Sequence, residues 1–155
     1  MKFKLKIISI LIILGGFSIN GYSQSACKGF GRSMCKVDFE DYVRNPQVLN
    51  AELSSGEAAE VNMVFSNAHD YRVYVCAEEH MGEVGIKFKT SKGEVLFDNK
   101  DFEMTDTYDF SMTSTRRLVI EIAFQGASGG DDGFAETGCA SILVGYKHST
   151  QSGFR

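Results

Sequence analysis

The chain has 155 residues, 43% of them hydrophobic, with 16 Lys+Arg, 20 Asp+Glu and four Cys, which fits one domain built round one core. Its formal charge of −4 becomes −7 once residues 1–23, whose only charges are Lys2, Lys4 and Lys6, are set aside. That acidity argues against nucleic acid and anionic membrane surfaces as partners, since both are bound by clustered Lys and Arg, and leaves basic groups, metal ions and neutral glycans.

In chain order, residues 1–23 read as a secretory signal peptide. Three lysines precede an apolar stretch, and Gly21-Tyr22-Ser23 supplies a small-x-small cleavage site before Gln24. The apolar stretch Ile7 to Ile19 contains Gly15 and Gly16 and falls well short of the roughly 20 residues that cross a bilayer. No membrane insertion is therefore expected after signal removal, and the chain is read as secreted or periplasmic. Acylation of Cys27 is disfavoured, because Gln24 stands where lipoprotein signals carry Leu.

Cys27, Cys35, Cys76 and Cys139 all follow the cleavage site, and an even number in an exported chain reads as two disulfides. A zinc site is disfavoured by the lack of any C-x2-C pair. Of the three connectivities, Cys27–Cys35 and Cys76–Cys139 is favoured, the first closing a short loop. Residues 24–36 then form a segment pinned by its own disulfide, 37–148 the domain proper, and 149–155 a tail.

Past that segment the apolar period is two. Val37–Val43 is a candidate strand. Val61, Met63 and Phe65 alternate with polar neighbours, as do Tyr71, Val73 and Val75; Val84, Ile86 and Phe88; and Leu118, Ile120, Ile122 and Phe124. Glu94–Asp98, Asp106–Met112 and Cys139–Tyr146 complete the set. Turn signals recur at 66–70, 81–83, 91–93, 98–100 and 114–115. Ser54-Ser55-Gly56-Glu57 has capping-box spacing, so helix is the alternative over Ser54–Phe65. Strand is preferred, because the following turn looks like a hairpin. The expected fold is an all-β antiparallel sandwich or jelly roll of about eight strands.

Ser55-Gly56-Glu57 before a strand, Asp70-Tyr71-Arg72-Val73 opening the next, Lys92-Gly93-Glu94-Val95-Leu96 as a hairpin and Arg117-Leu118-Val119-Ile120-Glu121 later are arranged in a telling order. This run resembles the pre-peptidase C-terminal type of bacterial β-sandwich over about two-thirds of the chain. The resemblance implies a sandwich that accompanies secreted enzymes, serving solubility, folding or substrate contact, at times with calcium. The chain departs from that pattern in its cysteines and in carrying no catalytic domain.

Gly126-Ala127-Ser128-Gly129-Gly130 matches G-x-S-x-G, but Ser128 is followed by Gly-Gly-Asp-Asp-Gly, which supplies no helix for a nucleophile elbow. The same loop continues through Asp131, Asp132 and Glu136, hard oxygen ligands on a glycine-rich backbone, and is the candidate metal site, for calcium. Calcium is the one cofactor expected, if any. Asp98, Asp101, Glu103, Asp106 and Asp109 read as solvated residues crossing a hairpin. Glu78, Glu79 and His80 read as the end of a strand, with Glu78 and His80 on one face, and His69-Asp70 as part of a turn; each His reads as a surface residue. Trp is absent, which weakens a sugar-stacking surface but leaves Tyr42, Tyr71, Tyr74, Tyr108 and Tyr146. No catalytic residue is assigned. The function expected is a secreted non-catalytic β-sandwich module that binds a protein or glycan or serves structurally. A small extracytoplasmic hydrolase is the alternative, since its paired carboxylates are set by distance in space.

Overall fold

A computed structural model of the chain describes residues 26–124 and 136–149. It contains β1 (Val43–Arg44), β2 (Leu49–Ser54), β3 (Ala58–Phe65), β4 (His69–Ala77), β5 (Val84–Thr90), β6 (Val95–Asp98), β7 (Thr107–Ser111), β8 (Arg116–Phe124) and β9 (Thr137–His148). A one-turn helix α1 (Phe30–Ser33) and 3-10 turns at Glu79–Met81 and Asn99–Phe102 complete the elements.

One sheet runs β2-β9-β4-β7, with β1 also on β9, and the other β3-β8-β5-β6, all antiparallel. The pairs β2·β9, β3·β8, β4·β7 and β5·β6 nest inside one another. The chain is therefore a long ribbon folded back at the β5–β6 turn and rolled so that successive rungs fall in opposite sheets, the jelly-roll winding. Between the sheets, Tyr71, Val73, Val75, Ala140, Ile142 and Val144 meet Phe65, Ile86, Phe88, Leu118, Ile120, Ile122 and Phe124, all at most 8% exposed. The period of two expected from the sequence is what fills this core.

The capping-box spacing at Ser54 produces its contact but no helix. The Glu57 carboxylate accepts the Ser54 N–H at 3.0 Å, while Gly56, at φ +84°, reverses the chain in a tight turn open to few other residues. β3 then lies straight on β8, with Val61 opposite Ile120 and Met63 opposite Leu118.

Residues 27–42 depart from expectation. Of Val37–Val43 only Val43 is in a strand, paired through β1 with β9. The rest lies as a strap across the outer face of the first sheet, where Phe30, Phe39, Cys27 and Cys35 close over Leu143. Leu143 and Ser141 point away from the sandwich interior, yet both are 0% exposed. The disulfides are Cys27–Cys139 and Cys35–Cys76, not Cys27–Cys35 and Cys76–Cys139. The reason is that the strap crosses neighbouring strands: Cys76 on β4 and Cys139 on β9 both face outward, and each takes a cysteine from the segment above it. The expected self-pinned segment 24–36 is thus stapled to the sheet. Two glycines make room: a Cβ on Gly145 would sit 2.5 Å from Phe39, and one on Gly31 2.7 Å from Ser141.

Candidate functional site: an acid-rimmed cleft at one end

In this winding the β2–β3, β4–β5 and β6–β7 connections, the end of β8 and the start of β9 share one end of the sandwich. Hydrogen bonds lace them together there. Ser55 N–H donates to Glu136 O (2.8 Å), Glu78 N–H to Cys139 O (3.0 Å) and Cys139 N–H to Glu78 Oε2 (3.0 Å). Between the second and third connections opens a cleft of about 480 Å³. Its lining is part apolar, with Val75, Ala77, Val84, Ile86 and Met104, and part polar, with Thr105 and the acids Glu78, Glu79, Glu83 and Asp106.

The wall at Met104 is held by one side chain. Asn99 is 0% exposed; its Oδ1 accepts the Ile86 N–H (2.8 Å), and its Nδ2 donates to Val84 O (2.9 Å) and Thr105 O (3.0 Å). Those three bonds tie the 3-10 turn to β5 and to the start of β7. Between them the chain passes through two left-handed residues, Glu103 (φ 52°) and Met104 (φ 55°), a conformation that costs a non-glycine roughly 1–2 kcal/mol each. The surrounding hydrogen bonds, including Met104 N–H to Asn99 O (3.0 Å), offset that cost. Tyr74 lines the cleft too; burial, and then the negative charge of Asp106, push its hydroxyl above its ordinary range, so it stays a protonated donor.

No protein-family model and no curated protein matches the sequence. The fold has a solved counterpart. It is similar to that of PliG from Aeromonas hydrophila, a periplasmic lysozyme inhibitor of g-type lysozyme, with a TM-score of 0.50 at 11% identity, covering 72% of this chain and 93% of that one. At that identity the likeness is one of fold.

The residues singled out from the sequence are scattered by comparison. Asp131 and Asp132, like Ser128, lie outside the described residues; Glu136 is exposed at the foot of β9, its carbonyl bound to Ser55. Of the acidic set at 98–109, only Asp106 reaches the cleft. Asp98 accepts the Lys100 N–H and faces Lys87, while Asp109 chelates Arg72 at 2.8 Å through both oxygens. Glu78 and His80 do not share a strand face, because β4 ends at Ala77 and a 3-10 turn follows. Glu78 instead faces the Cys139 amide, and His80 lies by Thr137 O (3.3 Å). Nor does His69 lie in a turn: it opens β4, half-buried, its Nδ1 is buried without a hydrogen-bond partner, and its ring lies 4.9 Å from that of the exposed His148. Tyr71 is buried, its hydroxyl accepting the Ser66 N–H, and Tyr42 is covered by Arg72 and Lys147. The tyrosines therefore form no common stacking surface.

Sequence reasoning missed Glu83 and missed that Asp106 lines the same cleft as Glu79. Only the topology brings these positions together. The Met81-Gly82-Glu83 turn signal was the single local hint.

Proposed function

We propose that the protein is an exported, non-catalytic module that binds a basic protein through its acid-rich loop end, and that the partner class is a lysozyme. The observation that carries the reading is the gathering of Glu78, Glu79, Glu83 and Asp106 around one cleft in a chain of net negative charge. Such a field favours encounter with a cationic surface. Two disulfides suit an oxidising, extracytoplasmic setting, and the fold shared with a periplasmic lysozyme inhibitor supplies the partner class. The resemblance to pre-peptidase C-terminal sandwiches would instead make the partner a secreted enzyme of its own organism.

The test is calorimetric titration of the exported chain with g-type and c-type lysozymes, alongside lysis of cell walls. Saturable binding that weakens between 0.15 and 0.5 M salt, as the Debye length shortens from about 8 Å to about 4 Å, and slowed lysis are expected. No heat with either lysozyme overturns the partner. Release of glycan fragments by the protein alone overturns the non-catalytic reading in favour of a hydrolase.

A further inference from the structure

Charge among the described residues divides by place. Every ion pair lies on a sheet face: Arg72 holds Asp109 and Glu40, Lys87 faces Asp98 and Glu121, and Lys89 binds Glu60 and Glu121. The carboxylates at the cleft rim, Glu79, Glu83 and Asp106, meet no Lys or Arg among the described residues, while that of Glu78 is turned to the Cys139 amide. Like charges gathered without a counter-charge repel one another, and a cation from outside relieves that repulsion. Beside them the lining has an apolar part, made by Val75, Ala77, Val84, Ile86 and Met104. A cleft with an apolar part and acids at its mouth fits a side chain that is greasy along its stem and cationic at its tip. Arginine fits better than lysine, since its planar fork spans carboxylate oxygens.

The main chain offers a matching feature. Thr107, the first residue of β7, lies opposite Tyr74, so beyond Tyr74 no described strand flanks this side of β4. The single bond there is Val75 N–H to Asp106 O (2.9 Å). Antiparallel pairing sends alternate residues to opposite sides. Glu78 N–H bonds to Cys139 O on β9, so Val75 and Ala77 face the other way, and the N–H and C=O of Ala77 open on the cleft.

We propose that the cleft is a docking slot for a basic side chain, arginine before lysine, carried on an extended segment of the protein partner that adds to β4 at Ala77 where β7 has ended. The slot rests on the reading of the protein as a binder of a basic protein, and it specifies which group that partner presents.

The probes are two blocked pentapeptides, Ala-Val-Arg-Val-Ala and its citrulline counterpart, which keeps the shape and removes the charge. Each is titrated into the 15N-labelled exported chain. The arginine peptide is expected to shift the amides of Ala77, Glu79, Glu83 and Asp106, and the citrulline peptide to bind roughly tenfold more weakly, the scale of a charge-assisted hydrogen bond. The double variant Glu83→Gln, Asp106→Asn, made at exposed positions, is expected to weaken the arginine peptide to the citrulline level with an unchanged melting temperature. Equal binding of both peptides, shifts centred elsewhere, or no shifts overturn the slot. Lysozyme bound equally by wild type and double variant overturns the slot and leaves the binding module standing. Arginine-dependent shifts at the cleft in a protein that binds no lysozyme keep the slot and remove lysozyme as the partner.

Discussion

Replacing Asn99 by Ala removes three buried hydrogen bonds at once, to Ile86 N–H, Val84 O and Thr105 O. At a net value of about 1 kcal/mol each, the loss is about 3 kcal/mol. Unfolding entropy is near 2.1 cal/mol/K per residue, roughly 0.28 kcal/mol/K over a domain of about 130 residues. The melting temperature should therefore fall by about 11 °C in a thermal melt followed by near-ultraviolet circular dichroism. Asn99→Asp separates hydrogen bonding from packing: it keeps the bulk but gives up both donations and buries a carboxylate, and it should fall at least as far. Asn62→Ala, on the exposed side of β3, should stay within about 0.5 kcal/mol of wild type. A drop of under about 3 °C for Asn99→Ala, or a neutral Asn99→Asp, would show that Asn99 does not hold the cleft wall as reasoned.

Peptide mapping without reductant should recover Cys27 joined to Cys139 and Cys35 to Cys76; a fragment joining Cys27 to Cys35 contradicts the strap. Exchanging both Cys27 and Cys139 for Ser opens a link spanning 112 residues and should cost about 5 kcal/mol in denaturant unfolding by the chain-entropy estimate, and a loss below about 1 kcal/mol counts against it. Leu143→Ala, despite its outward parity, should cost about 3–5 kcal/mol because the strap seals it; a surface-like loss under about 0.5 kcal/mol would mean that the strap is not docked. Lys89, hydrogen-bonded to Glu121, holds that carboxyl below its ordinary range, with Lys87 adding to the effect. Its contribution is therefore complete above the unfolded value of about 4.3 and lost as pH falls through the lower folded value, so the gap between wild type and Glu121→Gln should be flat above about pH 5 and close below about pH 4. A gap that widens on acidification contradicts the pairing. Calcium at Asp131, Asp132 and Glu136 is a proposal from the sequence: calcium at 100 times its dissociation constant should raise stability by about 2.7 kcal/mol, and a melting temperature indifferent to millimolar calcium removes it.

The strands that were plain in the sequence are those with one wet face. β8 alternates because Arg117, Val119 and Glu121 look outward while Leu118, Ile120 and Ile122 look in, and β5 does the same with Lys87 and Lys89. β9 was readable in position but not in meaning. Its run Ala140 to Gly145 is small or apolar on both sides, the mark of a strand covered twice, and Leu143 is the residue that says so. What covers it was illegible, because Val37–Val43 alternates well enough to pass for a strand while Phe39 and Tyr42 in fact pack against Gly145. β2 carried no clear alternation and was overlooked. The Asp98-Asn99-Lys100 turn was visible, but nothing local tells that Asn99 is swallowed whole rather than solvated. The cleft was the least legible of all, since Asp106 joins Glu79 and Glu83 only through the ribbon's winding, and its neighbours Asp98 and Asp109, equally acidic, were claimed by Lys87 and Arg72.

The stapling of the strap also bears on how the protein is made. A chain crossing a membrane N-terminus first presents Cys27 and Cys35 together, long before Cys76 and longer still before Cys139 arrives on the last strand. An oxidant acting in order of appearance would join the first two, leaving the later pair to find each other, and neither bond is native. Reaching the native pairs from there takes thiolate attack on an existing bridge, a process of seconds to hours without help. A chain exported in this way thus needs either a delay in oxidation until β9 has closed the sheet or a catalyst that reshuffles bonds already formed.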